Sequence, residues 1–293
     1  MDFGFFINQL FNGISISSIL FMTAVGLALS FGYMRIINMA HGEFLMLGGY
    51  STYLVQKFYP SEAYPIFALL FSFIFLSIFG FFLWALVIKH VQSRPLDTLL
   101  LTWGVSIILQ QLARDIFGST GVSVVPPSWL SITITFGELK IPSVRLFIIF
   151  VMMLSILALY LLFFKSDLGL RLRATSKDRE TASSLGVNSE AVNAFVFAIG
   201  AGMAGVAGSA LALISSVTPT IGLSYIVDSF MVVIFGGVGS LLGTLISSLI
   251  IGTISALTGS FMEISLAKAL ILILVVIFMQ FKPTGLVSIK VRE

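Results

Sequence analysis

The chain has 293 residues, of which 58% are apolar, 10% are charged and none is cysteine. About 170 apolar residues are enough, at about 20 per crossing, for at most eight or nine membrane spans, and so small a charged fraction excludes a soluble globular protein. A net charge of +3, from 16 Lys and Arg against 13 Asp and Glu, does not point to nucleic acid, and a chain without cysteine has no disulfide, thiolate nucleophile or thiolate metal site.

Residues 1–30 hold no Lys or Arg and open with Asp2, so the basic leader of a signal peptide is missing and the first span is expected to be retained. Apolar runs against charged punctuation predict spans near 7–31, 42–57, 64–88, 97–117, 144–164 and 191–216. Two more follow in 225–258 if Gly236 to Gly243 breaks that stretch, and a last one covers 264–281. The expected fold is one all-α, polytopic transmembrane helical bundle over residues 1–293, with broken or re-entrant helices and about eight or nine spans.

Between the first two spans, FGYMRIINMAHGEFLMLGGY carries Arg35, Asn38, His41 and Glu43. Two readings stand: a cytoplasmic turn, with Glu43 near a helix N-terminus, or a partly buried turn whose polar groups line the inner mouth of a pathway. The fourth span offers Thr102, Trp103, Gln110 and Gln111. Adjacent residues on a helix point about 100° apart, so only one of each pair can face a pathway squarely. The segment 118–143 is rich in Pro and Gly, including Gly137, with a β-branched run at 132–135, and reads as an external, non-helical loop in which Trp129 is an interfacial anchor.

The stretch 165–190, KSDLGLRLRATSKDRETASSLGVNSE, is the longest charged segment. It reads either as a solvated loop or as the site of a short helix over 176–185. Thr175 is then the N-cap with Asp178 three residues on, Gly186 is the C′ residue, and Ala182, Leu185 and Val187 form a small apolar patch. Such a helix is too short to be stable alone and must pack on something. Further on, GAGMAGVAGSALA at 200–212 reads as close helix packing. Asp228 and Ser229 are lining candidates, with Asp228 placed near an outer span end. Gly236, Gly237, Gly239 and Gly243 mark a break that is either packing or a cavity-side turn.

Orientation follows from the basic residues. Five of the 16 lie between Lys165 and Arg179, Lys89 and Arg94 flank the junction between the third and fourth spans, and Lys282, Lys290 and Arg292 follow the last. Those segments are expected in the cytoplasm, with the N-terminus and 118–143 outside. Seven or nine crossings satisfy this parity.

Glu180, Ala182 and Gly186 have the spacing E-x-A-x-x-x-G, which resembles the core of the loop by which permeases of ATP-binding-cassette (ABC) importers dock on their ATPases, with Thr181 where a second alanine is commonest. More broadly, INMAHGEFLMLGGY, GLRLRATSKDRETASSLGV, DSFMVVIFGGVGSLLGT and FKPTGLV together resemble the permeases of ATP-driven importers for branched-chain amino acids and related solutes, over about Asn8 to Leu286. Within that family RPLDTLLLTWGVSIILQQLARDIFG, PSWL and YIVDSFMVV resemble the urea-transporting branch.

The resemblance implies half of a translocation pathway in the bacterial plasma (inner) membrane, shared with a homologous second permease, two cytoplasmic ATPases that bind ATP and Mg, and an external solute-binding protein. No covalent chemistry is implied. Expected pathway residues are Asn38, Glu43, Thr102, Trp103, Gln110, Asp228 and Ser229; expected ATPase-coupling residues are Arg173, Asp178, Glu180, Ala182 and Gly186.

Urea is the expected solute, with a branched-chain amino acid as the alternative. A neutral amide needs donors and acceptors but no counter-ion, whereas a zwitterion is better matched by a charged pair or by helix ends of opposite polarity. The span centres offer Ser, Thr, Asn and Gln and few charges. The rivals are an ATP-independent carrier or urea channel, whose coupling carboxylates would sit within spans, and an intramembrane hydrolase, for which His41 and His90 lack a paired nucleophile. No lysine follows a glycine, so a Walker phosphate loop is absent. With two histidines and no cysteine, a transition-metal site is not expected either.

Overall fold

The computed structural model of the chain describes residues 3–92, 94–136 and 139–287; Asp2, Gly137, Lys290 and Arg292 lie outside the described residues. It is an all-α bundle. The helices are α1 (Phe3–Met34), α2 (His41–Phe58), α3 (Tyr64–Leu86), α4 (Pro95–Phe117), α5 (Ser143–Tyr160), α6 (Asp167–Lys177), α7 (Arg179–Ser184), α8 (Ser189–Ala212), α9 (Ile221–Gly236), α10 (Leu241–Gly259) and α11 (Ile264–Phe281). One antiparallel hairpin, β1 (Thr133–Phe136) with β2 (Leu139–Pro142), lies between α4 and α5, as the β-branched run and its flanking turns allow.

Nine of these helices fall on the nine expected apolar stretches. Seven are long and apolar enough to cross a membrane. Of the others, α9 has 16 residues and spans about 24 Å at 1.5 Å per residue, and α2 carries His41, Glu43 and Lys57 within its 18 residues.

The centre of the bundle is α8, against which α1, α2 and α3 pack through small residues. Gly200 lies against Gly26, Gly205 against Gly48, and Ala201 against Gly80, so the backbones approach where any side chain would intrude. Hydroxyls cross-link the same helices: Ser209 donates to Ser72 at 2.6 Å, beside the Gly48 carbonyl. The small-residue run at 200–212 is therefore packing. By contrast α3, α4, α5 and α11 turn rows of Phe, Leu and Ile outward, as lipid-facing helices do.

Loops sort to two ends. At one, Lys140 N donates to Asn8, Val122 pairs with Val217, and the Trp129 indole donates to the Glu62 carbonyl at 2.8 Å, so this tryptophan pins the α4–α5 loop to the turn before α3. At the other lie Arg35 and residues 88–92, 165–188, 237–240 and 282–287, whereas 36–40 turns back into the bundle, where Met39 N bonds Thr102 and His41 bonds Thr23. At that end the chain does break between α9 and α10. Gly237 and Gly239 take positive φ, Ser240 caps α10, and Leu286 N and Val287 N donate to the carbonyls of Phe235 and Gly236. The FKPTGLV segment thus satisfies the C-terminal carbonyls of α9.

Candidate functional site

Three places gather the expected residues. The first is the turn between α1 and α2. Asn38, His41 and Glu43 are each at most 1% exposed, so a solvated turn does not describe them; only Arg35, at positive φ, faces out. Asn38 Oδ1 accepts from Ala40 N at 3.1 Å, and His41 Nε2 bonds the Thr23 carbonyl at 2.8 Å. Glu43 sits in the first turn of α2, where the helix dipole favours an anion, and its Oε1 accepts from Ser106 Oγ and Gln110 Nε2, both at 2.9 Å. Its Oε2 is buried with no partner.

These donors come from one stripe of α4. Thr98, Thr102, Ser106 and Gln110 recur every four residues and all are buried. Thr102 Oγ1 accepts from Met39 N at 3.0 Å and donates to Thr98 O at 2.7 Å. Both adjacent pairs are thereby divided: Thr102 and Gln110 face inward, while Trp103 is 51% exposed and Gln111 bonds Asp115 on the exposed side of the helix. Ser106 was not singled out from the sequence, although the four-residue spacing contains it.

The second place is a cavity of about 450 Å³ that reaches the end carrying the hairpin, between α1, α5, α9, α10 and α11. Asp228 and Lys268 line it, and Lys268 Nζ donates to Asp228 Oδ2 at 2.7 Å. Asp228 is not at a span end, because the helix starts seven residues earlier at Ile221 and the carboxylate projects from mid-α9. Ser229, its neighbour, is buried and donates to its own helix at the Tyr225 carbonyl, 2.7 Å away, and does not line this cavity. Arg145, from the first turn of α5, completes the charged set.

The spans do hold few charges, as expected, but two of these, Asp228 and Lys268, form a pair within them. Lys268 inside the apolar run of α11 and Arg145 in the first turn of α5 were the signals available in the sequence.

The third place is the segment after α5. A π-turn, Leu161–Lys165, leads into α6, which is capped by Ser166. Arg173 ties α6 back by donating to the Phe163 carbonyl, with its guanidinium 5.9 Å from the Phe164 ring. The expected N-cap is corrected. Thr175 is still inside α6, buried, and Asp178 is the cap of α7: Oδ1 accepts from Glu180 N at 3.0 Å and Thr181 N at 3.1 Å, and Oδ2 accepts from Thr181 Oγ1 at 2.5 Å.

A carboxylate that satisfies two helix amides and a hydroxyl holds the cap better than Thr175 would. The Thr181 hydroxyl and amide also hold the Asp178 carboxyl below the ordinary aspartate range. Instead of one helix over 176–185 there are two, broken at the extended backbone of Asp178.

The far end matches expectation. Gly186 has φ +85°, its N–H bonds Ser183 O and Val187 N bonds Ala182 O, both at 3.0 Å, which is a Schellman end. The apolar patch divides: Ala182 is buried and Val187 half-buried, while Leu185 stands 80% exposed. Glu180 is exposed beside it.

The family described as "Branched-chain amino acid transport system / permease component" matches residues 9–279. The chain is 29% identical to the high-affinity branched-chain amino acid transport system permease protein LivH of Salmonella typhimurium, over 98% of this chain and 97% of that protein. The LivH of Escherichia coli gives the same figures. The permease protein BraD of Pseudomonas aeruginosa is 27% identical over 97% of this chain and 96% of its own. None of these names urea. No solved structure matches the chain.

Proposed function

The chain belongs to the family of permease components of branched-chain amino acid transport systems, and from that premise we propose that it carries branched-chain amino acids across the bacterial inner membrane as one of two permeases in an ATP-driven importer. The full-length relationship to LivH and BraD carries this reading. The charged pair within the spans agrees with it, since a zwitterion has use for fixed counter-charges and urea has none.

ATP and Mg would be held by two cytoplasmic ATPases, and an external binding protein would deliver the solute to the end carrying β1 and β2. The exposed face of α7, with Glu180 and Leu185, is the part that an ATPase would grip. The Asp178 cap and the Gly186 end keep that short element rigid, and Arg173 links it through α6 to α5, so movement of the ATPases would be passed to the spans as tilt. Asn38, Glu43, Thr102 and Gln110 form a buried polar seam between the start of α2 and the middle of α4, beside the path.

The test is uptake into proteoliposomes holding the complete transporter, with radiolabelled leucine and urea compared side by side. ATP-dependent leucine accumulation with no urea accumulation is expected. Urea uptake without leucine uptake would overturn the substrate, and leucine uptake without the ATPases would overturn the ATP-driven mechanism.

A further inference from the structure

The cavity at the outer end has a charge balance that its own side chains leave open. Arg145 and Lys268 bring two positive charges and Asp228 one negative, a surplus of +1 among the charged residues lining it. Lys268 is engaged with Asp228 Oδ2, but among the described residues the buried Arg145 Nη1 has no hydrogen-bond partner, and Asp228 Oδ1 takes no hydrogen bond. A guanidinium nitrogen buried without a partner is costly unless an acceptor meets it, and the guanidinium fork fits a carboxylate with two parallel hydrogen bonds. Below the charged rim the wall is aliphatic, with Ile16 and Leu20 from α1 and Ile271 from α11. The volume, about 450 Å³, falls within the usual range for small-molecule sites.

We propose that this cavity is an outward-side binding site for a zwitterionic aliphatic amino acid, with the α-carboxylate on Arg145, the ammonium on Asp228 Oδ1 beside Lys268, and the side chain against Ile16, Leu20 and Ile271. The site deepens the transport reading and rests on it. It separates solutes by two charges of opposite sign lining one cavity, so each half of the zwitterion is needed. Lys268 neutralises Asp228 when the cavity is empty and is displaced from part of that contact when the ammonium arrives.

The test measures equilibrium binding of radiolabelled leucine to the assembled permease–ATPase complex in lipid nanodiscs, without the solute-binding protein. Leucinamide, which lacks the carboxylate, and 4-methylpentanoate, which lacks the ammonium, serve as competitors. Both are expected to compete about thirtyfold more weakly than leucine, the effect of leaving one buried charge unmatched. Arg145→Gln is expected to weaken leucine by a similar factor and to erase the preference for leucine over leucinamide.

Competition by leucinamide equal to that of leucine in the wild-type complex would overturn the site whether or not the variant assembles, and so would unchanged leucine binding by Arg145→Gln. If wild-type proteoliposomes accumulate leucine while either result holds, only the site fails. If they accumulate none, the transport reading itself fails.

Discussion

Single residues decide the two ends of α7, and each end makes a prediction. Gly186 holds φ +85° with open space around it, so an alanine there meets no neighbour and costs only backbone strain, about 1 kcal/mol. Gly186→Ala is expected to leave membrane insertion intact while reducing leucine-stimulated ATP hydrolysis and uptake together; normal values of both would remove α7 from the coupling route. At the other end Asp178 is fully exposed, yet two amides and a hydroxyl hold its carboxyl low. With the folded value below the unfolded one, the cap is fully present above the ordinary aspartate range near 3.9 and is lost as pH falls through the depressed value. Amide exchange at Glu180 and Thr181 should accelerate in Asp178→Ala at neutral pH, and in the wild type only once pH drops below that range. Inside the bundle, Ser106→Ala removes one of the two donors to Glu43 Oε1, whose other oxygen already lacks a partner. Melting in detergent should show a loss of about 1–3 kcal/mol.

Elements in this bundle are set by how closely α8 is approached, and glycine position decides that. A Cβ on Gly48 of α2 would fall on the Gly205 backbone of α8, which cannot yield without separating the two helices, whereas one on Gly104 of α4 meets nothing. Gly48→Ala is therefore expected to cost about 1–3 kcal/mol in detergent melts and Gly104→Ala close to nothing, although both are glycine to alanine inside an apolar helix. Equal effects would mean that the α2–α8 approach is not the limiting contact. This difference also marks what could be read in advance. Nine apolar stretches and the break at Gly236–Gly243 were legible because lipid imposes length and hydrophobicity on each helix by itself. Which neighbour each glycine meets was not, since that depends on pairs far apart in the chain, such as 48 with 205. The same limit explains Lys268 and Asp228, which are 40 positions apart and look like isolated charges until α9 and α11 lie side by side. The α6–α7 break was hidden for another reason: Thr175 and Asp178 both suit an N-cap, and only the burial of α6 through Leu172 and Thr175 selects the second.

The molecule as a whole has two chemically different ends, and the alternation of its helices assigns a side to every loop. The end formed by residues 35, 88–92, 165–188, 237–240 and 282–287 holds Arg35, Lys89, Lys165, Arg171, Arg173, Lys177, Arg179 and Lys282. The opposite end has Lys57, Arg114, Lys140, Arg145 and Lys268, and on this basic excess we propose that the first end is the cytoplasmic one. In that orientation Arg145 and Lys268 stand against the rule at the outer end, as charges kept for binding would. If nine helices alternate from an external N-terminus, Thr120 lies outside and Ser184 on α7 lies inside, and both side chains are exposed. Because the natural chain has no cysteine, Thr120→Cys and Ser184→Cys each create a single thiol. A membrane-impermeant maleimide applied to intact cells should label the first, and the second only after permeabilisation. Labelling in the opposite order would place α7 where no cytoplasmic ATPase can reach it, and would open the Arg145 cavity toward the cytoplasm instead of toward incoming solute.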